Sequence, residues 1–211
     1  AVEGEEDVYR INDRKYIRIH MSESQKRKLG VITDVTTDMM EKSRMRYENT
    51  HDALTRLYKY RHFQQLAQER LEKMQPEKVC AVVMLDLDYF KGINDTYGHD
   101  VGDRYLQSFA AVLNAMPQKH FLTARRSGDE FCMMIYDCDG RADVAAYLDE
   151  FYRRLGENIV VLSDTEERII SASAGFAWTA DANEELSALL SRADEALYEV
   201  KKTTKGTYGE Y

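Results

Sequence analysis

Two adjacent carboxylates, Asp129 and Glu130, follow a tight polar turn, Ser127-Gly128, between two apolar runs: Phe121-Leu122-Thr123-Ala124 before it and Phe131-Cys132-Met133-Met134-Ile135-Tyr136 after it. Two β-prone runs joined by a short polar link containing glycine predict a β-hairpin. Carboxylates at such a tip, beside a buried strand, are costly unless they are solvated, paired or bound to a cation. A surface hairpin acidified for solubility meets that condition too, so this stretch by itself leaves both readings open. A second acidic group lies in Asp86-Leu87-Asp88, at the end of the continuous apolar run Val79 to Leu85. That run predicts a central strand buried on both faces. Carboxylates at its carboxyl end suit a hard cation such as Mg²⁺.

The apolar spacing around these groups supplies a scaffold. Phe63, Leu66, Ala67 and Leu71 recur at helical spacing and predict a helix to about Gln75, ended by Pro76. Leu106, Phe109, Val112 and Leu113 predict another over 101–116, and a further helix is expected over 141–155. Leu186, Leu189, Leu190, Ala193, Leu197 and Val200 share one face of a last helix, from Glu184 to about Thr203. Strands over 159–162 and 169–178 flank the turn Ser163-Asp164-Thr165-Glu166. The order strand, helices, hairpin, helix, strands, helix predicts an α/β sandwich with a mixed central sheet flanked by helices.

Ahead of this body, Ile17, Ile19 and Met21 alternate with Arg18 and His20 as in a half-buried strand, and Asn12-Asp13 suits a hairpin turn. A polar stretch, Ser22 to Lys28, leads to Leu29-Gly30-Val31-Ile32-Thr33-Asp34-Val35-Thr36-Thr37. Residues 38–51 favour a helix that Thr37 or Asp38 can cap. Its apolar positions are too few for a heptad, and it reads as a linker helix able to pair with a copy of itself.

The chain has 211 residues, 44% of them apolar, with only two prolines, which indicates a packed core. Its net charge of −8 and the lack of a long basic run argue against a nucleic-acid partner, though not against nucleotides. Cys80, Cys132 and Cys138 show no metal-ligand spacing and read as small buried thiols, so a reducing, cytoplasmic setting is expected. No apolar run reaches membrane-spanning length and no secretory signal is present, so no membrane contact is expected within this segment. The abrupt start at Ala1-Val2-Glu3 suggests a piece of a longer protein, whose parent form a membrane anchor elsewhere would still allow.

The run from Asp86 to Asp103, Asp86-Leu87-Asp88-Tyr89-Phe90-Lys91-Gly92-Ile93-Asn94-Asp95-Thr96-Tyr97-Gly98-His99-Asp100-Val101-Gly102-Asp103, closely resembles the Asp-x-Asp-x-Phe-Lys-x-Ile-Asn-Asp-x-Tyr-Gly-His-x-x-Gly-Asp pattern of GGDEF-domain diguanylate cyclases. So many matches at fixed spacing are specific. The hairpin resembles the family's signature with Ser127 in place of its first glycine. Asp52, Leu54, Thr55, Leu57, Arg61 and Phe63 match its opening segment, and Ala193-Asp194-Glu195-Ala196-Leu197-Tyr198-Glu199-Val200-Lys201 is similar to its last helix. The resemblance covers roughly residues 50–211. It implies a fold related to nucleotidyl cyclase and polymerase palm domains. Residues 1–37 more weakly resemble the closing strands of a PAS sensor domain, the alternative being a β-strand extension packed on the main body. The expected organisation is this extension over 1–37, a linker helix over 38–51 and a GGDEF domain over 52–211.

The implied reaction joins two GTP molecules into cyclic di-GMP and releases two pyrophosphates. A 3′-hydroxyl attacks an α-phosphate in line, so phosphate charge must be neutralised and a proton removed. By resemblance, Mg²⁺ (or Mn²⁺) is held by Asp86, Asp129 and the Leu87 carbonyl, and Asp129 accepts the proton, with Glu130 a second acidic group. Phe90 and Lys91 bring backbone N–H groups and an ammonium to phosphate. Asn94 and Asp103 are implied to read guanine, an amide and a carboxylate supplying the donors and acceptors its edge needs. Lys201 and Lys205, one helical turn apart, are expected to clamp the terminal phosphate. For Asp88 the residues favour a structural role, a helix cap or a hydrogen bond holding the turn. Each domain holds one GTP, so a homodimer is implied, with an upstream sensor domain in the same chain controlling the encounter.

Several positions depart from the family. Arg56 stands where a glycine is usual, Lys59 and Tyr60 differ nearby, and Lys205 replaces an arginine. The Arg-x-x-Asp that many members carry before the hairpin as an inhibitory product site falls here on Gln118 and Phe121. The departures at Ser127, Arg56 and Lys205 favour an alternative, a catalytically weak or inactive module that binds GTP or cyclic di-GMP and regulates a partner. The intact Asp86, Asn94, Asp103, Asp129 and Glu130 favour the enzyme.

Overall fold

The computed structural model describes residues 1–2, 4–24 and 27–211, so Gln25 and Lys26 of the polar stretch and Glu3 of the start lie outside the described residues. The chain divides into two units, 1–49 and 50–211.

In the first unit, β1 (Val8–Asn12), β2 (Lys15–Ser24) and β3 (Arg27–Asp34) form an antiparallel sheet in that order. The alternating segment becomes β2. Asn12 closes the β1–β2 turn, its Oδ1 accepting the Arg14 N–H at 2.9 Å. Helix α1 (Thr36–Thr50) has no buried residue, in keeping with its sparse apolar positions. It starts before the expected caps. The Asp34 carboxylate takes the Thr36 N–H at 3.0 Å, and the Thr36 hydroxyl is engaged with the Tyr16 backbone, so Thr37 and Asp38 fall inside the first turn.

The second unit runs β4 (Tyr58–Lys59), α2 (Tyr60–Glu72), β5 (Val79–Leu87), α3 (Phe90–Tyr97), α4 (His99–Asn114), β6 (Phe121–Ser127), β7 (Glu130–Cys138), α5 (Arg141–Gly156), β8 (Ile159–Ser163), β9 (Glu166–Ile169), β10 (Ala172–Thr179), α6 (Leu186–Thr203) and β11 (Tyr208–Glu210). Six strands make one sheet in the order β11-β10-β5-β7-β6-β4. Its outer pairs β10–β11 and β4–β6 are parallel and its inner pairs antiparallel, so the sheet is mixed as expected. The period of two sends β5 residues to both faces. Val79, Ala81, Val83 and Leu85 enter a core with Phe109 of α4 and Phe151 of α5. Cys80, Val82 and Met84 enter another with Phe63, Ala67 and Leu71 of α2 and Leu189, Ala193 and Leu197 of α6. Each fully buried large apolar side chain contributes about 1.5–3 kcal/mol, and the sheet is stabilised from both sides. The cysteines are buried, and burial pushes Cys80 up to about 12 and Cys138 to about 11, leaving inert thiols. Among the described residues no helix is long and apolar enough to cross a membrane.

One strand expectation changes. The strand expected over 169–178 is broken: β9 pairs with β8 in a separate hairpin, while β10 joins the main sheet beside β5. The break falls at Ile170-Ser171, where the Ser171 carbonyl accepts the Asp88 N–H at 2.9 Å instead of continuing the β8–β9 ladder. The fold also bears on one departure from the family. Arg56 has φ +62°, the left-handed conformation that a glycine adopts freely, in a turn closed by the Arg56 N–H on the Asp52 carbonyl at 2.9 Å. Arg56→Gly is therefore expected to raise stability by about 0.5–1 kcal/mol in chemical denaturation, and a loss of stability would show that the arginine side chain makes a compensating contact.

Candidate active site

The end of β5 and the hairpin tip meet through the sheet register. Asp86 lies directly opposite Glu130 of β7 on one side and Ser173 of β10 on the other. The Leu87 N–H donates to the Asp129 carbonyl at 3.2 Å, which brings Asp129 to the strand end. Alternation from Met84 turns Asp86 toward α6, where Lys201 Nζ lies 2.8 Å from its Oδ2. Burial raises the Asp86 pKa despite Lys201, and the nearby negative charges of Asp129 and Glu130 raise it further.

At the tip, Gly128 carries the positive φ of +44°, while Ser127 is not among the residues at positive φ. Serine thus occupies strand geometry at no backbone cost, and its hydroxyl donates to Glu130 Oε2 at 2.8 Å. Two arginines brace the hairpin. Arg125 donates to the Gly128 carbonyl at 3.0 and 2.7 Å and to Asp52 at 3.3 Å. Asp52 also accepts the Thr55 N–H and hydroxyl at 2.8 and 2.7 Å. Burial alone would raise the Asp52 pKa, but the Thr55 hydrogen bonds and Arg125 outweigh it and hold the carboxyl below its ordinary value. Arg126 bridges Asp194 of α6 at 3.0 Å and Glu130 at 4.0 Å, with its guanidinium over the Tyr60 ring. Sequence reasoning missed both struts. The only signal was a pair of arginines directly before an acidic tip.

Beyond β5, Tyr89 turns the chain with φ +60° and α3 begins at Phe90. The Phe90 side chain is core, tilted against Tyr105 at 6.3 Å between ring centres, so only its backbone faces the start of the helix. Lys91 is exposed on that first turn. Asn94, in the next turn, packs on α4 where Gly102 leaves room: a Cβ there would stand 1.9 Å from Asn94 Oδ1. Asp103 follows Gly102, exposed. The amide and the carboxylate thus share one helix–helix junction.

The expected lysine clamp is not a helical pair. α6 ends at Thr203, Thr204 is extended, and Lys205 lies in the loop beyond, its ammonium 4.5 Å from the centre of the Tyr89 ring. Two consecutive β-branched threonines favour that stop. Lys201 reaches Asp86 in β5, and Lys205 reaches Tyr89 just beyond that strand. Asp88 caps no helix; both its oxygens accept serine hydroxyls. Among the described residues no three or more of His, Cys, Asp or Glu stand together as a metal centre. A cleft of about 730 Å³ between α2 and the start of α6 contains none of these residues.

The family described as diguanylate cyclase, GGDEF domain, matches residues 49–207. The chain is 30% identical over 157 residues to diguanylate cyclase A of Treponema denticola, covering 72% of this chain and 42% of that protein. It is 29% identical over 182 residues to the probable diguanylate cyclase DgcE of Escherichia coli, covering 86% of this chain and 16% of that protein. It thus spans less than half the length of either relative. Among solved structures, the coiled coil and GGDEF domain of DgcB from Caulobacter crescentus in complex with c-di-GMP superposes with a TM-score of 0.75 at 27% identity, covering 84% of this chain and 93% of that one. The GGDEF domain of PA1120 from Pseudomonas aeruginosa gives 0.68 at 28% identity, covering 76% and 93%. With the family match extending from the end of α1 almost to β11, this chain belongs to the diguanylate cyclase GGDEF-domain family.

Proposed function

We propose that residues 50–211 condense two GTP molecules into cyclic di-GMP, two copies meeting face to face with one GTP each. The observation that carries this reading is the register that sets Asp86 opposite Glu130 with Asp129 at the same strand end, together with the close approach of Asn94 to Gly102, next to Asp103, on the two following helices. Asp86 is partly buried and feels the negative charges of Asp129 and Glu130, and carboxylate oxygens with a backbone carbonyl are the donor types a hard divalent cation takes. Asp86, Asp129 and the Leu87 carbonyl would hold it, with Glu130 opposite. When bound, Mg²⁺ (or Mn²⁺) supplies charge neutralisation for the phosphates and acidifies the attacking hydroxyl. A few protein carboxylates suit a cation that keeps water and phosphate oxygens as its other ligands.

Around that cation the side chains divide the work. Asp129 accepts the proton of the 3′-hydroxyl, while Arg125, through the Gly128 carbonyl, keeps the tip in place. The Phe90 and Lys91 N–H groups and the Lys91 ammonium receive phosphate at the start of α3. Lys201 and Lys205 would bind the terminal phosphate. Asn94 and Asp103 bind the guanine edge. Adenine would turn an amino group toward a donor and leave Asp103 unpaired, at a cost of about 1–3 kcal/mol. Calorimetry with Mg²⁺ should therefore show GTP binding at least about tenfold tighter than ATP; equal affinities would refute the guanine assignment. An upstream sensor domain would act by controlling the encounter of two copies, with α1 as the connecting element.

A second reading, a module that binds nucleotide without turnover, is favoured by the Lys201–Asp86 pair and by Lys205 in place of the usual arginine. Feedback by cyclic di-GMP at the family's inhibitory position is expected to be weak. Gln118 donates to the Asn114 carbonyl at 3.2 Å, and Phe121 is core, edge-on to Tyr147. Neither offers the fork or the carboxylate that would grip the product. Initial rates should change little with added cyclic di-GMP; potent non-competitive inhibition, lost on Gln118→Ala, would contradict this.

A further inference from the structure

Asp88 is 3% exposed. Its Oδ2 accepts the Ser171 hydroxyl at 2.7 Å and its Oδ1 the Ser173 hydroxyl at 2.8 Å, and its N–H is taken by the Ser171 carbonyl. A carboxylate only accepts, so it fixes the direction in which both hydroxyls point their protons. Ser173, fully buried in β10, thereby has a lone pair free for the Gly206 N–H, which donates to its Oγ at 3.2 Å. The next residue is anchored as well, its Thr207 carbonyl accepting the Ala174 N–H and the Tyr152 hydroxyl, both at 2.9 Å. Lys205 immediately precedes this pinned pair, and its ammonium rests on Tyr89, the residue after Asp88. One buried side chain therefore ties together the β5–α3 turn, the β9–β10 link and the loop that carries Lys205.

We infer that Asp88 is a positioning residue for the terminal phosphate of the nucleotide, acting through Ser173 and Gly206 to hold Lys205 at the β5–α3 turn. This rests on the GTP reading above and assigns Asp88 a role separate from the Asp86–Asp129 cation site. A buried carboxylate that merely filled space would leave nucleotide selectivity untouched. A carboxylate that aims a loop cation would alter how triphosphate is told from diphosphate.

The test is calorimetry with Mg²⁺ and 3′-deoxy-GTP or 3′-deoxy-GDP, which lack the attacking hydroxyl and cannot react. Asp88→Ala and Ser173→Ala are each expected to weaken the triphosphate about tenfold and the diphosphate less than about threefold. Ser173→Ala removes one hydroxyl and no charge, and so keeps the test decisive if Asp88→Ala fails to fold. In a Lys205→Ala background either substitution should cost less than about twofold more. Equal losses for both nucleotides, or losses that multiply with Lys205→Ala, would overturn the inference. Failure of the wild-type chain to bind either nucleotide would instead overturn the GTP reading, and the inference with it.

Discussion

Asp86→Asn and Asp129→Asn are each expected to lower turnover by a factor on the order of 10³ or more while leaving the protein folded. A cation that neutralises transferring phosphate is worth several kcal/mol in the transition state, and each 1.36 kcal/mol is tenfold in rate. An amide keeps the shape of the carboxylate but not the charge that holds the metal. The fold should tolerate Asp86→Asn because burial already penalises the Asp86 charge, and the ion pair with half-exposed Lys201 returns little of that cost. Asp129 is joined to the sheet through its backbone carbonyl, which the substitution leaves in place. Rates should be read with saturating GTP and Mg²⁺, beside a thermal melt of each variant. Near wild-type turnover in either one would remove that carboxylate from the metal site. A collapsed melt would show that the residue serves the fold.

The second large effect is expected from Gly102→Ala, a substitution that ordinarily favours a helix by nearly 1 kcal/mol. Here the added methyl would stand 1.9 Å from Asn94 Oδ1 and 2.9 Å from its Cγ. The backbone of α4 cannot yield by that much, so the Asn94 amide must swing away. Guanine then loses one of its two polar partners, and GTP affinity should fall about 10- to 100-fold, following an unsatisfied-group cost of about 1–3 kcal/mol. ATP binding should hardly change, so the preference for GTP collapses without loss of helix content. Unchanged selectivity in the variant would mean that Asn94 does not read the base.

Elements whose cause is local were legible in the sequence. The unbroken apolar run Val79 to Leu85 had to be a strand covered on both faces, and it is the strand from which the acidic residues project. The turn at Gly128 was readable because only one residue there needs the left-handed conformation, and it is the glycine. What stayed hidden depends on distant partners. Arg125 earns its place through Asp52, 73 residues away in sequence, and Arg126 through Asp194, 68 away. Lys201 lies on a helix whose register against β5 no local pattern fixes, so its contact with Asp86 was invisible although both residues had been singled out. The break between β9 and β10 had the same origin. Ile169-Ile170 reads as strand by composition, but the Asp88 N–H claims the next carbonyl and divides the segment. The acidic tip alone allowed a merely solvated hairpin. The Asp86–Glu130 register adds what the hairpin alone did not show, a carboxylate on the neighbouring strand directly opposite the tip.

The condensation itself can be measured. The most direct measurement is incubation of the chain with GTP and Mg²⁺ at high protein concentration, followed by mass spectrometry and pyrophosphate quantitation. Cyclic di-GMP with two pyrophosphates per product is expected, absent from a parallel Asp129→Asn reaction. Binding of GTP in the same sample with neither product formed would contradict it and leave the nucleotide-binding module as the reading that stands.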